Sequence, residues 1–239
     1  MIVDFAIEPL AENALLLRFG DGIDATINAR VHAAARALRA VNLPGVIDIA
    51  PAYATLLVRF NAFVRDGDAL SEAITRALCR RFRGGDGLTA AVSGNPAAQR
   101  VEIPVCYEGG FGQDLEAVAE YAQLSRQEVI ARHTAAEYTV AMLGFAPGFP
   151  YLLGLDAALH VPRRADPRTR VPAGSVAIGG AQTGIYPREL PGGWNLIGRT
   201  PLALFDPDRA PPCLLAPGDR VWFRAIDADE FAQHAERRA

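Results

Sequence analysis

The sequence has three cysteines in 239 residues, Cys79, Cys106 and Cys213, far apart and with no CxxC pair. That excludes a disulfide framework and offers no zinc signature. A reducing cytoplasm is the expected location. The start also lacks a basic stretch followed by an apolar run: Met1–Leu10 carries Asp4 and Glu8, unlike a signal peptide. No apolar stretch approaches a bilayer span, and Ala14–Leu17 is broken at once by Arg18. Charge of one sign is missing too. The net charge is −3 with no long single-sign run, which argues against a nucleic-acid-binding face. There is no nucleophile elbow, no metal-ligand cluster, and no Gly-Lys-Ser/Thr of a phosphate loop.

What is present is apolar mass. Half the residues are hydrophobic and about a fifth are charged, the balance of a globular protein with enough apolar surface for a core. The length suits two small domains.

The first half reads β-β-α-β-β-α, a helix-on-sheet sandwich. Val3–Ile7, Ala14–Phe19, Val46–Ile49 and Thr55–Phe60 are the expected strands, with Pro9 in the first turn. Ala25–Val41 is the first helix, capped by Asp24, with Ile27, Val31, Ala34, Ala35 and Leu38 on one face. Asp68–Phe82 is the second. Residues 84–98, rich in Gly, Ala, Ser and Asn, form the linker between a domain at 1–83 and one at 99–239. Leu88–Val92 has the pattern of one more strand.

The second half opens with a strand at Arg100–Val105 and two short helices, Asp114–Tyr121 and Arg126–Arg132. The second helix carries a capping-box spacing, Ser125 and Glu128. From Tyr138 onward come short strands broken by Gly and Pro, among them Ser175–Ile178, Asn195–Ile197, Ala203–Phe205 and Arg220–Ala225. Such a run favours an antiparallel barrel or sandwich, and Asp227–Arg238 ends it as a helix.

Three stretches stand out. Gly144–Tyr151 (GFAPGFPY) is expected to be a rigid, non-repetitive loop displaying Phe145, Phe149 and Tyr151, either as a hydrophobic plug or as a binding surface. Around Arg163 and Arg168, prolines stiffen a backbone carrying guanidiniums suited to carboxylate or phosphate, unless these are ordinary surface arginines. Gly179–Pro187 (GGAQTGIYP) and Pro191–Pro201 (PGGWNLIGRTP) follow. Gly179 and Gly180 permit close backbone approach to a ligand, with Gln182, Thr183 and Tyr186 as polar tips, although tight turns alone account for the glycines.

The ordered blocks GFxPGFxY, PRxxxPRxxVPAGSV, GGxQTGxYP, PGGW and IGRTP resemble the family of the 5-oxoprolinase B subunit, also called allophanate hydrolase subunit 1. The resemblance runs from about Ile103 to Asp219 and is looser before that. It implies an α+β chain: an N-terminal α/β sandwich domain and a C-terminal cyclophilin-like β-barrel. It implies joint action with an A and a C subunit, opening 5-oxo-L-proline to L-glutamate with ATP, its magnesium and the nucleotide shared with a partner. Members of the family also include a histidine-kinase inhibitor and half of a urea-carboxylase carboxyltransferase, which stand as alternatives.

The resemblance points to His133, Tyr138 and Arg168 as candidate catalytic groups. His133 sits near a helix C-terminus, which favours its protonated form, though a histidine bonded to a carbonyl fits the same pattern. Arg163, Gln182, Thr183, Tyr186, Arg199, Gly179 and Gly180 are the candidate substrate or ATP contacts, with the arginines expected to share one concave site. Phe145, Phe149 and Trp194 are the expected contact with the C subunit. Leu190 stands where the family commonly has a small hydroxyl residue.

Overall fold

The computed structural model describes residues 5–82 and 98–236. The chain divides into two compact units, Met1–Ala97 and Ala98–Ala239. The expected strand at Leu88–Val92 and most of the linker lie outside the described residues.

In the first unit, β1 (Ala6–Ala11), β2 (Ala14–Arg18), β3 (Val46–Pro51) and β4 (Thr55–Phe60) form an antiparallel sheet of order β1-β2-β4-β3. Helices α1 (Ala25–Val41) and α2 (Gly67–Arg81) cover one of its faces. The strand period of two puts Leu15, Leu17, Leu56 and Val58 toward them. There they meet Val31, Ala34 and Leu38 of α1 and Leu70, Ile74 and Leu78 of α2. Asp24 caps α1, its carboxylate accepting from Ile27 N–H at 2.8 Å. Asp66 caps α2, so that helix starts one residue before the expected Asp68. Pro9 lies inside β1 rather than in a turn. An edge strand tolerates it, and the register shifts there.

In the second unit seven strands close a barrel in the order β10-β7-β6-β13-β5-β12-β9. They are β5 (Arg100–Cys106), β6 (Tyr138–Leu143), β7 (Pro150–Leu153), β9 (Ser175–Gly179), β10 (Gln182–Ile185), β12 (Asn195–Arg199) and β13 (Arg220–Ile226). The mixed α+β class with a closed barrel is as the sequence implies. One pairing departs from the antiparallel expectation: β5 and β13, the first and last barrel strands, run parallel. Pro150 and Tyr151, expected at the end of an irregular loop, instead open a barrel strand that runs to Leu153. Ala203–Phe205 is not one; Phe205 makes only an isolated bridge to Cys213.

Beside the barrel, β8 (Arg168–Val171) and β11 (Leu190–Gly192) pair as a small separate sheet. Helices α3 (Leu115–Ala122) and α4 (Arg126–Ala135) send Leu115, Val118 and Val129 into the barrel core among Ile103, Val140, Leu152, Val176, Ile178, Ile197 and Phe223. The capping box of α4 is formed: Glu128 N–H donates to Ser125 Oγ, and Ser125 N–H donates to the Glu128 carboxylate at 2.7 Å. Helix α5 (Ala228–Glu236) ends the described chain.

Candidate functional site

Alternation along the barrel strands creates two faces. Val176 and Ile178 of β9, Ile185 of β10 and Leu152 of β7 point into the core, together with the Thr183 side chain. Ala177, Gly179, Gln182, Gly184 and Tyr151 are left for the outside of the wall. On that outer face lies a second apolar cluster built on Phe149, Tyr186 and Trp194, with Val171, Ala177 and Leu196; Tyr151 and Leu190 pack against it. The rings meet mostly edge to face: Phe149–Tyr186 at 5.2 Å between centroids, Phe149–Trp194 at 5.7 Å and Tyr151–Trp194 at 5.8 Å.

The glycine blocks make room for these rings. A Cβ at Gly179 would stand 2.7 Å from the Trp194 indole, and one at Gly184 would stand 3.1 Å from the Phe149 ring. A Cβ at Gly192 would collide with the Tyr186 hydroxyl. The space at Gly179 is therefore filled by Trp194, not kept for a ligand, and Gly180, at φ +66°, serves the β9–β10 turn. Leu190 joins the cluster as an apolar wall.

The Gly144–Phe149 loop is closed on itself. Ala146 N–H donates to the Gly144 carbonyl at 2.7 Å across Phe145, whose φ is +67°, and Gly144 N–H donates to the Phe149 carbonyl at 3.2 Å. An i to i+2 bond around a positive-φ residue is the rare, strained γ-turn, and for a phenylalanine that conformation is a genuine outlier. The turn leaves the Phe145 side chain 61% exposed, while Phe149 and Trp194 are buried. The expected interface set thus splits. Phe149 and Trp194 are internal packing, which corrects their assignment as contacts, and Phe145 alone is displayed.

The arginines do not converge as expected. Arg168 makes a two-point pair with the buried Asp114, Nη1 to Oδ2 and Nη2 to Oδ1, both at 2.8 Å. Arg164 donates to the same carboxylate at 3.0 Å, and Leu196 N–H donates to it at 2.7 Å. Arg168, expected among the catalytic groups, is held by this pair as a clasp fixing β8 against α3 and β12. Arg199 lies at the far end of β12 from Trp194, donating through Nε to the Ala173 carbonyl at 2.7 Å. Arg163 stands apart from both. Its guanidinium carbon lies 5.6 Å from the centroid of the Trp194 ring, and among the described residues it has no ion-pair partner. Its charge acts on Tyr151 and Tyr186, opposing the burial that raises both phenols.

His133 is wholly buried inside the barrel wall, stacked on Phe223 at 4.3 Å. The Thr183 hydroxyl donates to the Ala177 carbonyl at 3.0 Å, so its oxygen accepts from His133 Nε2–H at 3.2 Å. Nδ1 then accepts from the Tyr107 hydroxyl at 2.8 Å. Tyr138 donates to the His133 carbonyl at 2.9 Å. Every member of this network is satisfied within the core. Burial lowers the His133 pKa to about 3 and raises that of Tyr138. The expectation of a protonated, catalytic His133 is corrected: desolvation outweighs the helix terminus, and neither His133 nor Tyr138 reaches solvent. Thr183 belongs to this interior network, not to a ligand site.

Gln182 differs from all of these. It is 9% exposed, yet its Oε1 has no hydrogen-bond partner, and no bond to its amide nitrogen is present among the described residues. Of the residues singled out in the sequence, the outer face brings together Gln182, Tyr186, Trp194 and Arg163, with Phe145 at its margin.

The pattern of the family described as "Carboxyltransferase domain, subdomain C and D" matches residues 5–215, most of the chain. This chain belongs to that family. A curated relative, the 5-oxoprolinase B subunit of Bacillus subtilis, is 44% identical over 238 residues, covering 99% of both chains. The solved structure of TTHA0988 is 41% identical over 90% of this chain with a TM-score of 0.70, and this chain spans 40% of its length. The Kluyveromyces lactis urea amidolyase shares the fold alone, at 20% identity and a TM-score of 0.72, over 97% of this chain and 15% of its own.

Within this carboxyltransferase-domain protein, sequence reasoning missed Asp114, Arg164 and Tyr107. By pattern Asp114 is only a helix start, and Tyr107 lies beyond the strand it follows. Neither spacing nor periodicity signals a partner more than 25 residues away, as His133 is to Tyr107. Tyr151 stands in the sequence as one ring of a loop; its place on β7 is what sets it beside Trp194.

Proposed function

We propose that this chain is the B subunit of an ATP-dependent 5-oxoprolinase, opening 5-oxo-L-proline to L-glutamate together with an A and a C subunit. The observation that carries the reading is the 44% identity, over 99% of both chains, to the Bacillus subtilis protein of that name. The site chemistry agrees with it. Arg163, an exposed cation, is held over Trp194, where a planar guanidinium suits a carboxylate. The buried amide of Gln182 lies on the same face.

Lactam opening is difficult because the amide is resonance-stabilised. Phosphorylation of the lactam oxygen turns it into an activated imidate, and that step requires charge neutralisation at the phosphates and a fixed orientation of the ring. In this proposal the chain supplies orientation. Its aromatic wall excludes water, and Arg163 holds the acid end. The nucleotide and its magnesium are taken as shared with a partner, since the chain has no Gly-Lys-Ser/Thr phosphate loop of its own. Proton transfer is assigned to a partner as well, since His133 and Tyr138 are sealed in the core. Phe145, projected by its strained turn, is the proposed anchor for the C subunit.

Co-expression with the A and C subunits of the same organism tests the reading. Glutamate formed together with ADP, only when all three proteins are present, is the expected result. A complex that forms glutamate equally well without this chain contradicts it. So does a chain that instead suppresses a histidine kinase, or one whose turnover depends on biotin.

A further inference from the structure

The helical layer of the first unit carries an open groove. Val41 at the end of α1, Leu43 in the turn after it, and Ala73 and Ala77 of α2 line its floor. Ala73 and Ala77 are four residues apart and share one helix face, and their short side chains leave the space beside α1 unfilled. Arg76, Arg80 and Arg81 of α2 form the rim. One end of the groove is apolar. There the turn after α1 is tied to the loop before α2: Asn61 N–H donates to the Gly45 carbonyl at 2.8 Å, and Arg65 Nη1 donates to the Pro44 carbonyl at 3.4 Å. Asn61 also braces its own loop, its side chain accepting from Phe63 N–H at 3.0 Å and its carbonyl from Val64 N–H at 3.0 Å. This braced loop leaves Phe63 wholly exposed, with Val64 and Val41 more than half exposed. Adjoining exposed apolar side chains mark an interaction surface, and an aromatic on a fixed backbone is a typical interface anchor.

The other end is basic. Arg80 and Arg81 lie in the last turn of α2, where the helix dipole favours cations. The dipole does not account for Arg36 of α1, whose pKa is lowered by burial and by the neighbouring charge of Arg81. Among the described residues Arg36, Arg80 and Arg81 have no acidic partner, whereas Arg76 pairs with Glu72 at 3.2 Å. Like charges held together without a counter-charge repel one another, and an incoming carboxylate relieves that repulsion.

We propose that this groove docks an amphipathic helix of a partner protein, apolar where it meets Val41 and Phe63 and acidic where it meets Arg80 and Arg81. From Ala73 to Arg81 α2 rises roughly 12 Å, so about two turns of the incoming helix lie in the groove. Its apolar side chains fill the space over the two alanines, and its carboxylates supply the missing counter-charge. A second copy of this chain pairing through the same face brings arginines where carboxylates are needed. A small anion leaves the apolar end unused. The partner is sought in the A subunit of the proposed complex, since Phe145 of the other unit is assigned to the C subunit. That choice rests on the 5-oxoprolinase reading; the apolar and basic ends are features of the groove itself.

The test is calorimetric titration of the full chain with the A subunit of the same organism, with and without the C subunit, at low and at moderate salt. Phe63→Ser and the double variant Arg80→Gln/Arg81→Gln are each expected to weaken A-subunit binding by on the order of tenfold or more. All three side chains are exposed, so both variants should keep a cooperative thermal melt and normal co-elution with the C subunit. Salt should weaken the parent more than the double variant, because the carboxylate contacts are lost in the latter. Phe145→Ala should leave A-subunit binding unchanged. No binding of the A subunit in either form, parental affinity in both variants, or equal weakening by Phe145→Ala overturns the docking site. So does binding of the parent to vesicles of anionic phospholipid that the same variants abolish, or a dimer of this chain that they disrupt. If A-subunit binding follows the expected pattern while the three proteins together form no glutamate, the 5-oxoprolinase reading fails and the docking site stands. If the three proteins form glutamate and both variants bind the A subunit as the parent does, the reading stands and the docking site falls.

Discussion

Acid should loosen the barrel through His133. In the folded chain its imidazole is neutral, with both nitrogens bonded to Tyr107 and Thr183 and burial holding its pKa at about 3. In the unfolded chain it titrates at its ordinary value of 6.5. Between those values the unfolded chain binds a proton that the folded chain refuses. The contribution of His133 to stability is therefore present above the unfolded value and is lost as pH falls toward the folded one. At about 1.36 kcal/mol per unit of separation, going from about pH 7 to about pH 5 costs roughly 2 kcal/mol from this residue alone. Urea unfolding followed by tryptophan fluorescence reads this unit by itself, because both tryptophans, Trp194 and Trp222, lie in it. The parent should lose about 2 kcal/mol more over that range than His133→Gln, which has nothing to titrate there. An imidazole seen by NMR to titrate near neutrality with the fold intact would refute the buried, structural assignment.

Further substitutions probe the packing and the pairing. Asp114→Ala leaves Arg164, Arg168 and the Leu196 N–H without their acceptor. It should cost at least about 2 kcal/mol, somewhat below the roughly 3–5 for a fully buried pair because the arginines are partly solvated, as read by thermal unfolding. Phe149→Ala should cost about 3–5 kcal/mol as a core truncation. Phe145→Ala should stay within about 0.5 kcal/mol of the parent yet weaken co-elution with the C subunit in size-exclusion chromatography. Gly179→Ala drives a methyl into the Trp194 indole and should destabilise by about 1–3 kcal/mol in chemical denaturation, whereas Gly180→Ala meets no atom and is opposed only by its positive φ.

Periodicity carried most of the fold. The helical faces of Ala25–Val41 and the alternation in Thr55–Phe60 are local patterns, and local patterns dictate local structure. Pro150–Leu153 escaped because two prolines bracket Phe149 and disguise a strand that begins at Pro150, where a missing N–H is tolerated. The glycine blocks were legible as special but not in their purpose. Only the folded chain shows that Gly179, Gly184 and Gly192 each face an aromatic ring. Arg163 and Arg168 look alike in sequence, both beside proline, and differ because Asp114, far away in the chain, claims one and leaves the other. For His133 the sequence leaves a protonated and a structural reading open because helix position is local, while the burial that decides its charge comes from Phe223, Tyr107 and Tyr138 packed around it in the fold.

Fluorine NMR gives a direct view of where the ligand sits. With 5-fluorotryptophan in this chain and unlabelled partners, the assembled complex shows two signals, from Trp194 and Trp222. Addition of 5-oxo-L-proline without ATP should move the Trp194 signal and leave Trp222 in place, and Arg163→Met should abolish the movement. A shift of Trp222 instead, or no shift of Trp194 in a complex that releases glutamate once ATP is added, would contradict a ligand site on the outer face of the barrel.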